Sequence, residues 1–513
     1  MLKTLLAVLL LLATPALAQA PAASQPDAKE AKPAEKEAPK PLEEKSSVTH
    51  HSLTLDGRKL AYTATAGTLL LKQDDGTVKA SVFYISYSLD GVKDPAARPV
   101  TFAFNGGPGS ASLWLHLGAF GPKRIERTAE GMSLPPPGRL IDNDQSILDV
   151  TDLVFIDPVS TGYSRPAPGQ DPKQFHGVRK DVESVAEFIR LWTTRNQRWA
   201  SPKFVAGESY GTTRAAGLAY HLADRYGMTL NGVILVSSVL NWQDQDFHAG
   251  NDQPCFIHLP TYAATAWYHK KLPPELSGDL MKTLAEVETF ARDEYAPALL
   301  QGDRLPEARR HEIAAKVARY TGLAPAYVER SNLCVEIFRF CKELLRDQGK
   351  TVGRLDTRFT GSDLDAAGES FEYDPAMAAL SGAAGAAIND YIRRDLEFES
   401  DLVYELHGNV WPWSWDDFEN QYVNMGEFLR GAMTRNPDLR VLMASGVYDL
   451  ATPYYDSIFT KDHLGLPKEL RDHVQVELFQ AGHMMYIRKA DHQKLKRDIA
   501  ELIRQATGTP ASK

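Results

Sequence analysis

Lys203-Phe204-Val205-Ala206-Gly207-Glu208-Ser209-Tyr210-Gly211 is the stretch that decides the fold. Lys203–Ala206 reads as a short buried strand. Thr212 to Tyr226 carries Ala215, Leu218, Ala219 and Leu222 along one face and reads as a helix. A serine on a strand-to-helix turn of this kind has a strained backbone, an exposed hydroxyl and a helix N-terminus behind it, while the flanking glycines allow close packing. The G-x-S-x-G pattern alone is weak, since composition gives one in roughly ten chains of this length. The strand before it and the helix after it make it specific. It is the single such match in the chain, and Ser209 is read as a nucleophile.

Outward from this turn the elements alternate in an ordered way. Ser52–Leu55, Leu60–Leu71 and Val78–Tyr87 alternate apolar and polar residues with Asp-Gly turns between them, the pattern of an antiparallel meander. Val100–Phe104, Leu153–Ile156, Lys203–Ala206 and Gly232–Val236 are short apolar runs suited to buried parallel strands. Helical patterns at Gln174–Thr194 and Thr212–Tyr226 separate the last three. From about Asp246 to Glu399 the text is mainly helical, clearest at Asp279–Ala291, Pro306–Tyr320 and Glu336–Asp347. Arg440–Ala444 and Val474–Phe479 then resume the strands, and Ala490–Ala506 forms a last amphipathic helix. The expected fold class is α/β, with a central, mostly parallel sheet, an N-terminal antiparallel meander and an inserted helical cap. The expected division is core at 47–245, cap at 246–399 and core again at 400–513.

Ligands of open α/β sheets bind at the carboxyl ends of the strands. Ser445-Gly446-Val447-Tyr448-Asp449 follows Arg440–Ala444, and Gln480-Ala481-Gly482-His483 follows Val474–Phe479. The order Ser209, Asp449, His483 is that of nucleophile, acid and base in the α/β-hydrolase fold. His483 would take the serine proton, and Asp449 would hold its imidazole in the right tautomer. Asp456 and Asp157 are the weaker alternatives for the acid. The loop Asn105-Gly106-Gly107-Pro108-Gly109-Ser110 follows the strand Val100–Phe104. Its glycines let backbone N–H groups approach a substrate, so Gly107 and Tyr210 are the expected oxyanion donors.

Four of these segments resemble the serine carboxypeptidases, the family of carboxypeptidase Y and the wheat and lysosomal enzymes. They are Asn105–Ser110, Phe155–Ser164 (similar to D-x-P-x-G-x-G-[FY]-S, with changes), Gly207–Gly211 and Ala481-Gly482-His483-Met484. The similarity runs from about Thr101 to the C-terminal helix, with the character of a bacterial-type member. It implies catalytic Ser209, Asp449 and His483, an oxyanion hole from Gly107 and Tyr210, and recognition of a peptide's terminal carboxylate by Asn105, Gly106 and Glu208. A buried carboxyl beside a substrate carboxylate is destabilised as an anion, so Glu208 would bind that group best when protonated. The alternative for Glu208 is a structural acceptor. Thr452 stands where the family often has a cysteine, and Ser110 replaces another. These departures leave the chemistry intact and the side-chain preference open. The expected activity is release of single C-terminal residues through an acyl-enzyme. The alternatives are an esterase or acyltransferase on the same fold, or a non-catalytic binding protein.

The remaining sequence sets the context. Residues 1–18 carry Lys3, an apolar run Leu5–Leu12 and Ala16-Leu17-Ala18, the make-up of a cleaved export leader too short to span a bilayer. Residues 19–46 are rich in Pro, Ala, Lys and Glu and read as a solvated linker. A net charge of −9 without a basic stripe argues against nucleic acid, including at the faint helix-turn-helix pattern of residues 313–327. No asparagine lies in an N-x-[ST] sequon and only Cys255, Cys334 and Cys341 are present, which points to a periplasmic or secreted protein. Cys334 and Cys341 are close enough in sequence to close a small loop, leaving Cys255 free, although spacing does not fix the pairing. Neither a metal nor a cofactor is expected, because no His/Cys/Asp cluster has ligand spacing. Trp411, Trp413 and Trp415 would serve either a cleft or the core.

Overall fold

Alternating side chains feed two cores from one sheet. The computed structural model describes residues 42–508, so the expected leader and most of the expected linker lie outside the described residues. The meander consists of β1 (Ser46–Leu55), β2 (Arg58–Lys72) and β3 (Val78–Leu89). Its first turn uses Asp56 and Gly57 at φ 48° and 75°, the left-handed pair that joins twisted strands tightly. β1 begins six residues before the expected strand. Its leading Ser46-Ser47-Val48-Thr49 still pairs with Thr65–Gly67 and Ala64 of β2, although the segment is too polar to read as a strand alone.

The next strands are β4 (Val100–Phe104), β5 (Asp152–Ile156), β6 (Lys203–Ser209), β7 (Gly232–Ser238), β8 (Arg440–Gly446) and β9 (Val474–Phe479). Spatially they follow β1-β2-β3-β5-β4-β6-β7-β8-β9, and Arg165–Pro166 adds a short pairing to β3 in a ten-stranded sheet. β3 meets β5 antiparallel, and every later pair is parallel. β7 and β8 are neighbours although residues 239–439 lie between them in the chain.

One face collects Ala103, Ala206, Ile234, Val236, Leu442 and Ala444. The other collects Phe102, Val205, Val233, Leu235, Val441 and Met443. Helices α1 (Val178–Arg195) and α2 (Tyr210–Tyr226) cover the second face through Val185, Phe188, Ile189, Leu218 and Leu222. The first is covered by a long C-terminal helix, Lys489–Thr507, with Leu495, Ile499 and Leu502 inward. Full burial of such side chains stabilises by about 1.5–3 kcal/mol each, so both layers are firmly held.

A third core lies within the long helical stretch. Here α3 (Gln253–Tyr268), α4 (Leu280–Phe290) and α5 (Glu307–Thr321) bury Ile257, Ala263, Leu284, Val287, Ile313 and Val317 together with Tyr448, Leu450 and Tyr454 from beyond β8. The residues that give 313–327 its helix-turn-helix pattern are thus spent on packing. Helix α6 (Pro375–Arg394) instead packs with the sheet's first face through Leu380, Ile388 and Tyr391. Cys255 on α3 is bonded to Cys334, with Cα atoms 5.2 Å apart, while Cys341 is free and buried. The short-loop pairing Cys334–Cys341 is therefore not formed. Cys341 lies on the short helix Ile337–Glu343 with its side chain in the third core, and the loop at Cys334 lies against α3. Among the described residues no helix is long and apolar enough to cross a membrane.

Candidate active site

Ser209 joins β6 to α2 with φ 61° and ψ −130°, left-handed values that an L-residue holds only under constraint. Two glycines make the turn possible. A Cβ on Gly207 would stand 2.0 Å from the Gly211 carbonyl oxygen, and one on Gly211 would stand 3.0 Å from the Phe104 carbonyl oxygen. The first N–H groups of α2 have no intrahelical acceptor and lie immediately behind the serine.

The loop after β4 is pressed against this turn. A Cβ on Gly106 would fall 2.5 Å from Tyr210 N and 2.6 Å from the Glu208 carbonyl oxygen, so only glycine fits there. Gly107 follows at φ 101°. A buried ion pair fixes the loop to the helix. Arg214 of α2 donates from Nε to Asp181 Oδ2 at 2.7 Å and from Nη1 to the Asn105 carbonyl at 2.7 Å, and Tyr210 Oη donates to the same Asp181 oxygen. Breaking one partner of such a pair typically costs about 3–5 kcal/mol.

Asp449 and His483 meet at the ends of β8 and β9. His483 Nδ1 lies 2.7 Å from Asp449 Oδ2, and a carboxylate there makes Nδ1–H the donor and leaves Nε2 as the acceptor. Asp449 is fully buried, and its other contacts are the Ala451 and Thr452 N–H groups on Oδ1 and the Thr452 hydroxyl on Oδ2 at 2.7 Å. Thr452, at the family's frequent cysteine position, thus helps to orient the acid. Burial would lower the His483 pKa, but the Asp449 charge and hydrogen bond, aided by Glu208, raise it above its ordinary value.

The His483 loop is held by residues that carried no sequence signal. His483 N donates to the Leu355 carbonyl at 2.6 Å, Gly482 N to Asp356 Oδ2 at 3.0 Å, and Ser237 Oγ to the His483 carbonyl at 2.7 Å. Asp356 is itself paired with Arg358, both buried. Of the two weaker acid candidates, Asp157 accepts from Ser112 N at 2.8 Å and so braces the loop beyond Ser110. Asp456 accepts from Thr460 and lies beside Asp244. Neither bonds to His483; among the described carboxylates only Asp449 does.

Ser209 and His483 line one cleft of ≈ 200 Å³ with Asn105, Gly106, Gly107 and Glu208. Glu208 accepts from Tyr486 Oη at 2.6 Å, and burial pushes its carboxyl up to about 7 against the opposing pull of His483, Tyr486 and Asn105. Asn105 is fixed by Leu115 N on its Oδ1, while its buried Nδ2 faces the Glu208 carboxyl without a well-formed hydrogen bond to it. The tryptophans divide: Trp413 packs edge-on against Tyr210 at 5.3 Å, Trp415 against Trp242 at 4.9 Å, and Trp411 is exposed. Sequence reasoning missed Arg214, Asp181, Leu355, Asp356 and Tyr486. Each acts through a contact across many residues of chain, which leaves no local pattern. The arrangement combines a strained serine, an imidazole with an oriented free nitrogen and a neutralisable acid. Such an arrangement is suited to acyl transfer onto a hydroxyl.

A family model described as serine carboxypeptidase matches residues 65–473. Two curated relatives from Arabidopsis thaliana are similar over shorter stretches. Serine carboxypeptidase-like 36 is 27% identical over 172 residues, and serine carboxypeptidase-like 29 is 24% identical over 177. Each match covers 33% of this chain and 34% of the relative, so the chain spans about a third of the length of the curated relatives it matches. The crystal structure of Kex1(delta)p, a prohormone-processing carboxypeptidase from Saccharomyces cerevisiae, shares the fold. Its TM-score is 0.51 at 15% identity, over 86% of this chain and 91% of that one. With its central, mostly parallel sheet and serine turn, the molecule has the α/β-hydrolase fold, and by the family model that matches most of its length the chain belongs to the serine carboxypeptidase family.

Proposed function

We propose that the protein is a serine carboxypeptidase that releases C-terminal residues from peptides. Ser209 Oγ attacks the last peptide carbonyl while His483 Nε2 takes its proton, and Asp449 stabilises the imidazolium that forms. The Gly107 and Tyr210 N–H groups hold the developing oxyanion, each worth roughly a few kcal/mol in the transition state. His483 then protonates the departing amine. Water, deprotonated by the same imidazole, opens the acyl-enzyme and restores Ser209.

The observation that carries this reading is the pairing of Glu208 with Asn105 beside the serine. A buried carboxyl titrating near 7 and an amide N–H without a well-formed hydrogen bond suit a terminal carboxylate, whereas an ester or an amide brings no charge for them to match. Residues 246–399 would serve as a cap, because Arg354, Leu355 and Met377 of that stretch line the cleft. Export to the periplasm or exterior follows from the composition of residues 1–18 and accords with the Cys255–Cys334 disulfide, which persists in oxidising compartments. The test compares an N-blocked peptide acid, its C-terminal amide and an aryl ester of the same acyl group. Preferred turnover of the peptide acid is expected. Turnover of the ester alone would overturn the reading in favour of an esterase.

A further inference from the structure

The cleft holds one cation that the chemistry above does not use. Arg354 lines it together with Glu208, Ser209 and His483. Its backbone is pinned on both sides: Arg354 N donates to Asp374 Oδ2 at 3.0 Å, and its carbonyl accepts from Leu450 N at 3.0 Å. Its side chain is not pinned. Among the described residues the guanidinium has neither an ion pair nor a hydrogen bond, and Nε is buried without an acceptor. Arg354 is partly buried, and the fully buried guanidinium groups among the described residues are all matched: Arg198 with Asp152, Arg214 with Asp181, and Arg358 with Asp356.

The nearest carboxylates have other work. Asp374 is occupied by backbone donors, taking Arg354 N and Leu355 N on Oδ2 and Ala376 N and Met377 N on Oδ1. Asp449 serves His483 and Thr452, and Glu208 takes the Tyr486 hydroxyl. Burial chiefly lowers the His258 pKa and pushes up the Cys341 thiol, while at His483 burial is outweighed by the Asp449 charge and hydrogen bond, which raise the pKa; the Arg354 charge acts on all three as a smaller contribution favouring their deprotonated forms. A partly shielded guanidinium without a partner is free to take an anion, and its planar fork of donors suits a carboxylate.

The position indicates whose carboxylate this is. A peptide with its last carbonyl on Ser209 must set its terminal carboxylate at Asn105, Gly106 and Glu208, where the Asn105 Nδ2 donor already waits. The side chain of that same residue shares the cavity with Arg354. We propose that Arg354 is a specificity residue reading a side-chain carboxylate on the residue released, so that peptides ending in glutamate or aspartate are the preferred substrates. This rests on the carboxypeptidase reading above.

The test measures kcat/KM for N-blocked peptides of one acyl sequence ending in Glu, Gln or Lys, on the wild type and on Arg354→Gln, Arg354→Lys and Arg354→Glu. Thermal melting and fluorophosphonate labelling of Ser209 report folding. The wild-type enzyme should favour Glu over Gln by about tenfold or more, the usual discrimination of a desolvated charge-assisted pair. Arg354→Gln should bring the Glu/Gln ratio close to one, Arg354→Lys should keep a reduced preference, and Arg354→Glu should shift preference to Lys. Wild-type release of all three residues with equal efficiency overturns the proposal without variants. An equal fall on Glu and Gln peptides in Arg354→Gln also overturns it, and would assign the guanidinium to the terminal carboxylate. Ester turnover without release from any peptide acid would refute the carboxypeptidase reading itself.

Discussion

Glu208→Gln separates recognition of a terminal carboxylate from the acyl chemistry. In the wild-type protein burial holds the Glu208 carboxyl near 7, with Tyr486 Oη on one of its oxygens. A peptide carboxylate binds beside it only while it carries a proton to donate. Between about pH 6 and about pH 8 a group titrating there goes from roughly nine-tenths to roughly one-tenth protonated, so KM for a peptide acid should rise about tenfold. Glutamine keeps an acceptor for Tyr486 and a donor for the substrate at every pH, so KM in Glu208→Gln should stay within about twofold over that range. Peptide amides bring no charge and should give flat KM profiles in both enzymes. The acid limb of kcat belongs to His483, whose raised pKa means activity is lost as pH falls through a value above the ordinary imidazole one. Steady-state kinetics of one acyl sequence as acid and amide, at half-unit pH steps, supply every number required. A wild-type KM for the peptide acid that stays flat across neutrality would refute the reasoning.

Other expectations are briefer. Ser209→Ala or His483→Ala should lower kcat by several orders of magnitude with a nearly unchanged melting temperature, since the three residues act as a unit, and Ser209→Ala should abolish fluorophosphonate labelling. Glu208 is buried with a folded pKa above the ordinary 4.5, so the wild type loses stability as pH rises from about 4.5 to about 7. Glu208→Gln should then melt like the wild type at pH 4 and higher at pH 8, with a ceiling of about 3 kcal/mol. Arg214→Met should cost about 3–5 kcal/mol and most activity by stranding Asp181 and freeing the Asn105 carbonyl, and adding Asp181→Leu should restore stability but not turnover, as chemical denaturation and kinetics would show.

The legible parts of this sequence are those whose signal is local. A nine-residue strand-and-turn around Ser209, short apolar runs for β4 to β9 and the residues just past β8 and β9 placed the serine, acid and base on one sheet edge. The elements that hold them were illegible for a common reason. Leu355 and Asp356 steady His483 from more than a hundred residues away in the chain, and nothing in Arg354-Leu355-Asp356 repeats or alternates. The same holds for Arg214, whose place on an apolar helix face looks unfavourable until Asp181 and the Asn105 carbonyl are seen around it. Proximity in sequence favoured a Cys334–Cys341 loop, whereas packing of the helical stretch lays the loop at Cys334 against Cys255 of α3.

The adjacency of β7 and β8 has a consequence for biogenesis. A nascent chain can lay down the meander and the parallel strands as far as β7, but the next strand in space arrives only after residues 239–439 have been made. Until then β7 presents an unpaired parallel edge, the kind of surface that templates association with other chains. Asp449 and His483 both lie beyond that interval, so a product that ends within it carries the serine without the acid and the base. On the proposed triad the order of synthesis would keep Ser209 inert until the sheet is closed, and it makes the late-closing edge the step at which a holdase chaperone would matter most.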